Sequence, residues 1–144
     1  MRSDAKVAGA RTRCMLDRPE IRMRGPVVDA PPGDEALALA AFYERLLGWP
    51  ITQRGAGGWA LLQSPEGLKI EIQGLSDYQR PVWPNASNEQ QMMVHMDFAT
   101  DDVDAAVAWA IEAGATVAEH QPQPNVRVML DPVGHPFCLF RGAT

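Results

Sequence analysis

The chain has 144 residues, of which 46% are hydrophobic and 22% charged, with a formal net charge of −5. These values are typical of one soluble globular domain. They exclude a membrane-spanning protein, because no apolar run approaches the roughly 20 residues that cross a bilayer. Two cysteines, Cys14 and Cys138, are too few for a disulfide framework. The N-terminus also lacks the apolar core of a signal peptide, so we predict a cytoplasmic protein.

Charge divides the chain into two parts. Residues 1–24 hold seven of the 13 basic residues and three of the 18 acidic ones, so the remainder has a net charge of −9. An acidic surface disfavours nucleic acid as a partner. The basic leader has no apolar periodicity, and we therefore predict a disordered N-terminal extension over residues 1–20.

The first half predicts a strand, a helix and three further strands. Ile21–Ala30 has the composition of a strand, although Gly25-Pro26 interrupts it. Asp34 is the predicted N-cap of a helix over Glu35–Leu47, whose apolar residues recur at helical spacing, and Gly48 ends it. The three strands that follow are Pro50–Arg54, Trp59–Gln63 and Leu68–Gln73.

A connector over residues 75–90 leads to a second half with the same order. Gln91–Phe98 is predicted as a strand, with His95 and Asp97 on one face. Thr100 or Asp101 then caps a helix that ends at Gly114. The remaining predicted strands are Thr116–Glu119, Val126–Leu130 and His135–Phe140.

The two halves repeat one unit at a nearly constant offset along the chain. Gly48 corresponds to Gly114, and the Pro65-Glu66-Gly67 turn corresponds to Pro132-Val133-Gly134. We predict one α+β domain over residues 21–144, built from two βαβββ modules, residues 21–74 and 91–141. The modules should form a curved eight-stranded mixed sheet, with helices on one face and a cup on the other.

Four segments in the same order carry a resemblance to a known family. They are AFYERLLGW (residues 41–49), SPEGLKIEI (64–72), HMDFATDDVDAAV (95–107) and LDPVGHPFCLF (130–140). Together they resemble the vicinal oxygen chelate superfamily, which includes glyoxalase I, bleomycin-resistance proteins and extradiol dioxygenases. The glyoxalase-like domain branch is the most similar. Members commonly dimerise, so the resemblance implies a homodimer, but one fold hosts many chemistries and the reaction does not follow from it.

The resemblance also implies four metal-ligand positions, one on the first and one on the last strand of each module. His95 matches the first-strand position of the second module, and Glu71 the last-strand position of the first. Cys138 follows Glu71 at the same offset that separates the two proline turns, and it stands where the family has its second glutamate. The fourth position falls within Gly25–Asp29, where Asp29 has the only ligating side chain. The sequence thus departs from the family pattern at two of four positions.

Two interpretations of these residues remain open. His95, Glu71 and Cys138 could hold a divalent metal such as zinc with an open fourth position, and Glu71 would then be a ligand or catalytic base. Alternatively no cofactor binds. His95 then pairs with Glu71 or Asp97, since an unpaired buried polar group costs about 1–3 kcal/mol, and Cys138 is an apolar residue. A nucleophilic Cys138 would need an activating base, and His95 could serve if the two strands face each other.

Aromatic side chains favour a small-molecule pocket in the cup. We expect Trp83, in the connector, to cover its mouth, and we expect His120 and His135 to be exposed to solvent. The predicted pocket residues are Trp49, Trp59, Trp83 and Asp97.

The sequence therefore predicts a glyoxalase-like protein with a degenerate metal site that binds a small hydrophobic or aromatic ligand in the cup. The alternative is a metal-dependent lyase, isomerase or dioxygenase, in which the ion acts as a Lewis acid on vicinal oxygens of the substrate. A third hypothesis is a regulatory module whose basic leader contacts a partner. Neither nucleic acid nor a membrane is an expected partner.

Overall fold

The structure, a computed structural model, describes residues 18–142. Apart from residues 18–20, the predicted N-terminal extension lies outside the described residues. Within them, two helices and eight strands follow one another in the order β-α-β-β-β, twice. This order confirms the predicted α+β fold with two βαβββ modules.

The first module consists of the five elements that the sequence predicted, with shorter strands except the last. Its elements are β1 (Val27–Ala30), α1 (Asp34–Leu47), β2 (Ile51–Arg54), β3 (Ala60–Gln63) and β4 (Lys69–Gly74), with a 3-10 turn at Ala56–Gly58 between β2 and β3.

The second module follows a connector without helix or strand. Its elements are β5 (Met96–Thr100), α2 (Val103–Ala113), β6 (Thr116–Val117), β7 (Val126–Leu130) and β8 (Pro136–Arg141).

The eight strands hydrogen-bond as two four-stranded mixed sheets, in the orders β1-β4-β3-β2 and β5-β8-β7-β6. In each sheet one pair is parallel and the other two are antiparallel. Glu71 lies opposite Val27 in the parallel pair of the first sheet, and Cys138 lies opposite Asp97 in that of the second. Glu71 and Cys138 are therefore equivalent positions, as the constant offset between the halves predicted.

The two modules share one apolar core. Phe42 and Tyr43 of α1 are buried, and the ring centroid of Phe42 lies 6.1 Å from that of Phe137 in β8. On the other side, Phe137 makes an edge contact with Phe98 of β5 at 5.8 Å. These rings remove large apolar areas from water at the contact between the modules, so the modules stabilise each other.

The first strand of each module begins later than predicted, because its N-terminal part has no neighbour to pair with. The predicted strand Ile21–Ala30 is ordered as β1 only from Val27, since Pro26 has no amide hydrogen to extend the ladder. The predicted strand Gln91–Phe98 begins only at Met96, because its neighbour β8 starts at Pro136. Residues 91–95 are thereby left free to line a cleft.

Both helix N-caps also differ from the prediction. The cap of α1 is Gly33, with a φ of 79°, and Asp34 is the first helical residue. The cap of α2 is Asp102, whose Oδ1 accepts a hydrogen bond from the amide of Ala105 at 3.0 Å, because Thr100 still belongs to β5. Among residues 18–142 no helix combines the length and apolarity needed to cross a bilayer.

Candidate functional site

A cleft of about 480 Å³ lies between the two modules. Four stretches form its walls: β1 and the residues before it, the connector, residues 90–96 and the turn that precedes β8. The lining is mixed: Val28, Leu75 and Met92 contribute apolar surface, and His95 and His135 are among its polar residues. Its volume is within the range of small-molecule sites.

Tyr78 and His135 form the polar wall where the modules and the connector meet. The Tyr78 hydroxyl donates to the carbonyl of Val133 at 2.7 Å, and its ring makes an edge contact with the imidazole. His135 Nε2 donates to the carbonyl of Asp29 in β1 at 2.6 Å. Burial raises the pKa of Tyr78 above its ordinary value. These contacts leave His135 half-buried, so the prediction that it is exposed was wrong.

Beneath this wall, a buried carboxylate fixes the turn that carries His135. Asp131 is 2% exposed and accepts a hydrogen bond from the hydroxyl of Tyr43 at 2.8 Å. Its other oxygen accepts from the amides of Val133 at 3.1 Å and His135 at 2.9 Å. Burial raises the pKa of both Asp131 and Tyr43. Because Tyr43 belongs to the first module and Asp131 to the second, this pair also joins the modules.

Glu71, the predicted catalytic residue, is held by two side chains of its own module. Its Oε2 accepts a hydrogen bond from Trp59 Nε1 at 3.1 Å, and its Oε1 accepts from Arg24 Nε at 2.5 Å. The Glu71 side chain is 14% exposed. The guanidinium of Arg24 thus supplies the positive charge next to this carboxylate.

His95 and Cys138 come together with Asp97, in a group that does not include Glu71. His95 Nε2 lies 3.2 Å from Asp97 Oδ1, which confirms one of the two partners predicted for this imidazole. The ligand atoms of His95, Asp97 and Cys138 lie within 4.8 Å of one another. Burial, and then the negative charge of Asp97, raise the pKa of Cys138 to about 11. Without a cation the sulfur is therefore a thiol and not an activated nucleophile.

None of the three tryptophans predicted for the pocket is among the residues that line the cleft. Trp49 packs against the core, and Trp59 donates to Glu71. Trp83 Nε1 donates to the carbonyl of His120 at 3.0 Å, and His120 is exposed as expected. Asp97 also lies outside the lining, although its neighbour His95 belongs to it.

Both modules are covered by one family match. The glyoxalase-like domain family matches residues 27–140, which extend from β1 into β8. The chain belongs to the glyoxalase-like domain family. This result confirms the resemblance to the vicinal oxygen chelate superfamily. A comparison with curated protein sequences found no match.

Solved structures show the same fold. A protein from Bacillus cereus, described as a possible glyoxalase, has a TM-score of 0.60 at 14% identity, over 84% of this chain and 99% of that one. A glyoxalase/bleomycin resistance protein from Albidiferax ferrireducens T118 has a TM-score of 0.56 at 18% identity, over 84% and 98%. A glyoxalase/bleomycin resistance protein/dioxygenase family enzyme from Burkholderia phytofirmans PsJN has a TM-score of 0.54 at 20% identity, over 80% of this chain and 94% of that one. At these identities the likeness shows the fold alone.

The first-strand ligand position of the first module is a glycine in this member of the glyoxalase-like family. Val27 and Asp97 are equivalent positions of the repeat, because each is the ladder partner of a last-strand position, Glu71 or Cys138. Two residues earlier, Gly25 is therefore the equivalent of His95. Gly25 has a φ of 152°, and a Cβ there would lie 2.2 Å from the carbonyl oxygen of Lys69. No other residue fits this close approach without a shift of the backbone.

The four positions therefore do not fit the metal set that the family implies. One position is a glycine and another is Cys138. Glu71 forms an ion pair with Arg24. Asp29 accepts a hydrogen bond from Gln73 at 3.3 Å. We derive no reaction step from that set.

Proposed function

We propose that this glyoxalase-like protein binds a small hydrophobic or aromatic ligand in the cleft between its modules. The observation that carries the proposal is a concave cleft of about 480 Å³ between the modules, in which apolar side chains alternate with polar groups that can orient a ligand. Small-molecule sites are typically concave, largely apolar and equipped with few polar groups that fix orientation.

The polar groups of the cleft indicate the kind of ligand that it would hold. Tyr78 and His135 already donate to backbone carbonyls, so their hydrogen atoms are engaged. The phenolic oxygen of Tyr78 retains its capacity to accept a hydrogen bond. His95 also lines the cleft with a side chain that is 41% exposed; because its Nε2 faces Asp97 Oδ1 at 3.2 Å, its other ring nitrogen is the one left for a ligand. A ligand with an apolar body and one or two hydrogen-bonding groups matches this arrangement.

The contacts of Glu71 support a binding protein over a metal-dependent lyase, isomerase or dioxygenase. In those reactions Glu71 would act as ligand or base, and both roles require a carboxylate free to meet an ion or a substrate proton. Here each oxygen already accepts a hydrogen bond, one from Arg24 and one from Trp59, and an ion or a substrate proton would compete with these contacts.

The resemblance to the superfamily supports a homodimer, which we also propose. Light scattering during size-exclusion chromatography measures the mass in solution: about twice that of the 15.8 kDa chain is expected, and the mass of one chain would contradict the proposal. Location in the cytoplasm stays a prediction from the sequence.

A fragment screen that compares the parent with a variant whose cleft is blocked by a large side chain tests the proposed function. Ligand-observed NMR would measure binding of a library of small aromatic acids, phenols and ketones. Gln91→Trp places a large ring in the cleft lining, and Gln53→Trp places the same ring on β2, away from the cleft. Both positions are exposed, so both variants should fold, which circular dichroism verifies.

We expect fragments that bind the parent and Gln53→Trp and lose at least about tenfold in affinity with Gln91→Trp, a change of about 1.4 kcal/mol. Fragments that bind Gln91→Trp as well as the parent would contradict the proposal, and so would a library without any binder.

A further inference from the structure

The acidic and basic side chains that line the cleft differ in number. Among the described residues of the lining, Asp29 and Asp77 are acidic, and no lysine or arginine accompanies them. Asp29 belongs to β1 and is half-buried, whereas Asp77 belongs to the connector and is exposed. The walls of the cleft therefore carry two carboxylates, one from the first module and one from the connector.

No ion pair within residues 18–142 neutralises either carboxylate. The ion pairs in this part of the chain join other residues. Asp29 accepts a hydrogen bond from the side-chain amide of Gln73 at 3.3 Å, which leaves its negative charge in place. An ionised carboxylate has about four lone-pair sites, so both groups can still accept hydrogen bonds from a ligand.

The basic groups near the cleft contact acceptors of the protein itself. Arg80 of the connector does not belong to the lining, and its guanidinium donates to a backbone carbonyl of the turn before β8 at 3.4 Å. His95 Nε2 lies 3.2 Å from Asp97 Oδ1, and His135 Nε2 donates to the carbonyl of Asp29. These groups therefore do not offer the cleft a free positive charge.

The hydroxyl of Tyr78 lies in surroundings of negative potential. Burial is the largest cause that raises the pKa of this phenol, and the charges of Asp131 and Asp29 raise it further. Glu35 acts in the same direction, and Arg80 acts in the opposite one. Carboxylates that disfavour a phenolate favour a positive charge at the same place. The phenolic oxygen can accept a hydrogen bond, and aromatic faces attract cations.

We propose that the cleft is selective for organic cations, in the form of a protonated amine on a compact apolar or aromatic body. Asp29 and Asp77 would attract the ammonium group, and the oxygen of Tyr78 would accept one of its hydrogen bonds. Leu75 and Met92 would contact the apolar body. The inference rests on the proposed function, because it assigns a charge to the ligand of the same cleft.

Three ligands with one aromatic body and different charges test this selectivity. They are 1-naphthylmethylamine, 1-naphthalenemethanol and 1-naphthoate, which at neutral pH are positive, uncharged and negative. Isothermal titration calorimetry with the full chain would measure each affinity. A double variant, Asp29→Asn with Asp77→Asn, removes both charges and keeps the size of the side chains, and Asp77→Asn alone changes only an exposed position. Asp101→Asn, at an exposed position outside the lining, is the matched control.

We expect the amine to bind the parent at least about tenfold more tightly than the alcohol, and the naphthoate to bind more weakly than the alcohol. Asp77→Asn should reduce the preference for the amine by about threefold. The double variant should abolish this preference and keep the alcohol affinity of the parent, which also shows that its cleft is intact. Asp101→Asn should bind all three ligands like the parent.

The proposal is overturned if the parent does not prefer the amine to the alcohol, or if the preference is unchanged in Asp77→Asn and in the double variant. In both cases, binding of the alcohol in the cleft would still support the proposed function. If none of the three ligands binds, the selectivity is also overturned, and the fragment screen decides separately on the proposed function.

Discussion

Cys138 lies opposite Asp97 in the second sheet, in the position that Glu71 holds opposite Val27 in the first. The two halves share this register but not the chemistry of the residues in it. Glu71 pairs with Arg24, whereas Cys138 meets Asp97 and His95. The duplicated architecture therefore no longer builds one symmetric site between the modules. The cleft between the modules is lined by other residues, among them Tyr78 and His135.

The ion pair of Glu71 should contribute little to stability. Glu71→Gln keeps an acceptor for Trp59 Nε1 and removes only the charge that faces Arg24, whose side chain is 57% exposed. Solvent screens such a pair, and we expect a loss of at most about 1 kcal/mol in the free energy of unfolding by urea. Glu112→Gln, which breaks the exposed pair with Arg45, is the comparison. A loss of several kcal/mol would show that Glu71 has a larger structural role.

Removal of the Tyr43 hydroxyl should lower the free energy of unfolding more than loss of the Glu71 charge does. Tyr43→Phe takes a donor from the buried carboxylate of Asp131, and hydrogen bonds to charged groups contribute about 1.5–3 kcal/mol. The matched variant is Tyr78→Phe, which removes a hydroxyl that donates to the neutral carbonyl of Val133, for which about 0.5–1.5 kcal/mol is expected. Urea unfolding of both variants measures the difference. An equal or smaller loss in Tyr43→Phe would contradict the importance of this link between modules.

The pKa of Asp131 predicts a dependence of stability on pH. Burial raises the pKa of this carboxyl in the folded protein. The charge of His135 and the hydrogen bonds that Asp131 accepts act in the opposite direction. The folded state then holds a proton more tightly than the unfolded state. The contribution of Asp131 to stability is therefore fully present below its unfolded pKa of about 3.8 and is lost as pH rises through the folded pKa.

Asp131→Asn isolates this contribution. Urea unfolding at a series of pH values from 3 upward gives the unfolding free energy of the parent minus that of the variant. This difference should fall with rising pH and then become constant. A difference that rises with pH would mean that hydrogen bonds outweigh burial and that the pKa is lowered.

Tyrosine ionisation offers a second titration, since the chain has two tyrosines, Tyr43 and Tyr78. Burial raises the pKa of both. The folded protein should show no tyrosinate absorbance near the ordinary pKa of about 10, whereas the protein unfolded in urea should titrate there. Stability is then lost as pH rises above about 10, because only the unfolded state readily loses these protons. A tyrosine that ionises near pH 10 in the folded protein would contradict the burial of Tyr43 or the partial burial of Tyr78.

Most of the fold could be predicted from the sequence, because local patterns specify it. The alternation of Ile70 and Ile72 identified β4, and the constant offset between the halves paired Glu71 with Cys138. The strand limits depended on neighbours that the local pattern does not show: β5 could begin only where β8 offered a partner. Pro26 was visible as an interruption, and its effect on β1 followed from the missing amide hydrogen.

The site was harder to predict, because its contacts join distant residues. The hydrogen bond between His135 and Asp29 connects positions 106 residues apart, and no pattern in the sequence links them. The tryptophans were assigned to the pocket by residue type, yet the indole of Trp59 donates to Glu71 and that of Trp83 to a backbone carbonyl. The pairing of His95 with Asp97 was foreseeable, since side chains two residues apart share a face of a strand.

The most direct test of the cleft as a ligand site is a map of amide chemical shifts in ¹⁵N-labelled protein, titrated with a fragment from the screen. The account predicts that the largest changes fall in both modules and in the connector, at residues such as Val28, Tyr78, Met92 and His135. Changes confined to one module, or grouped on a surface away from these residues, would contradict it.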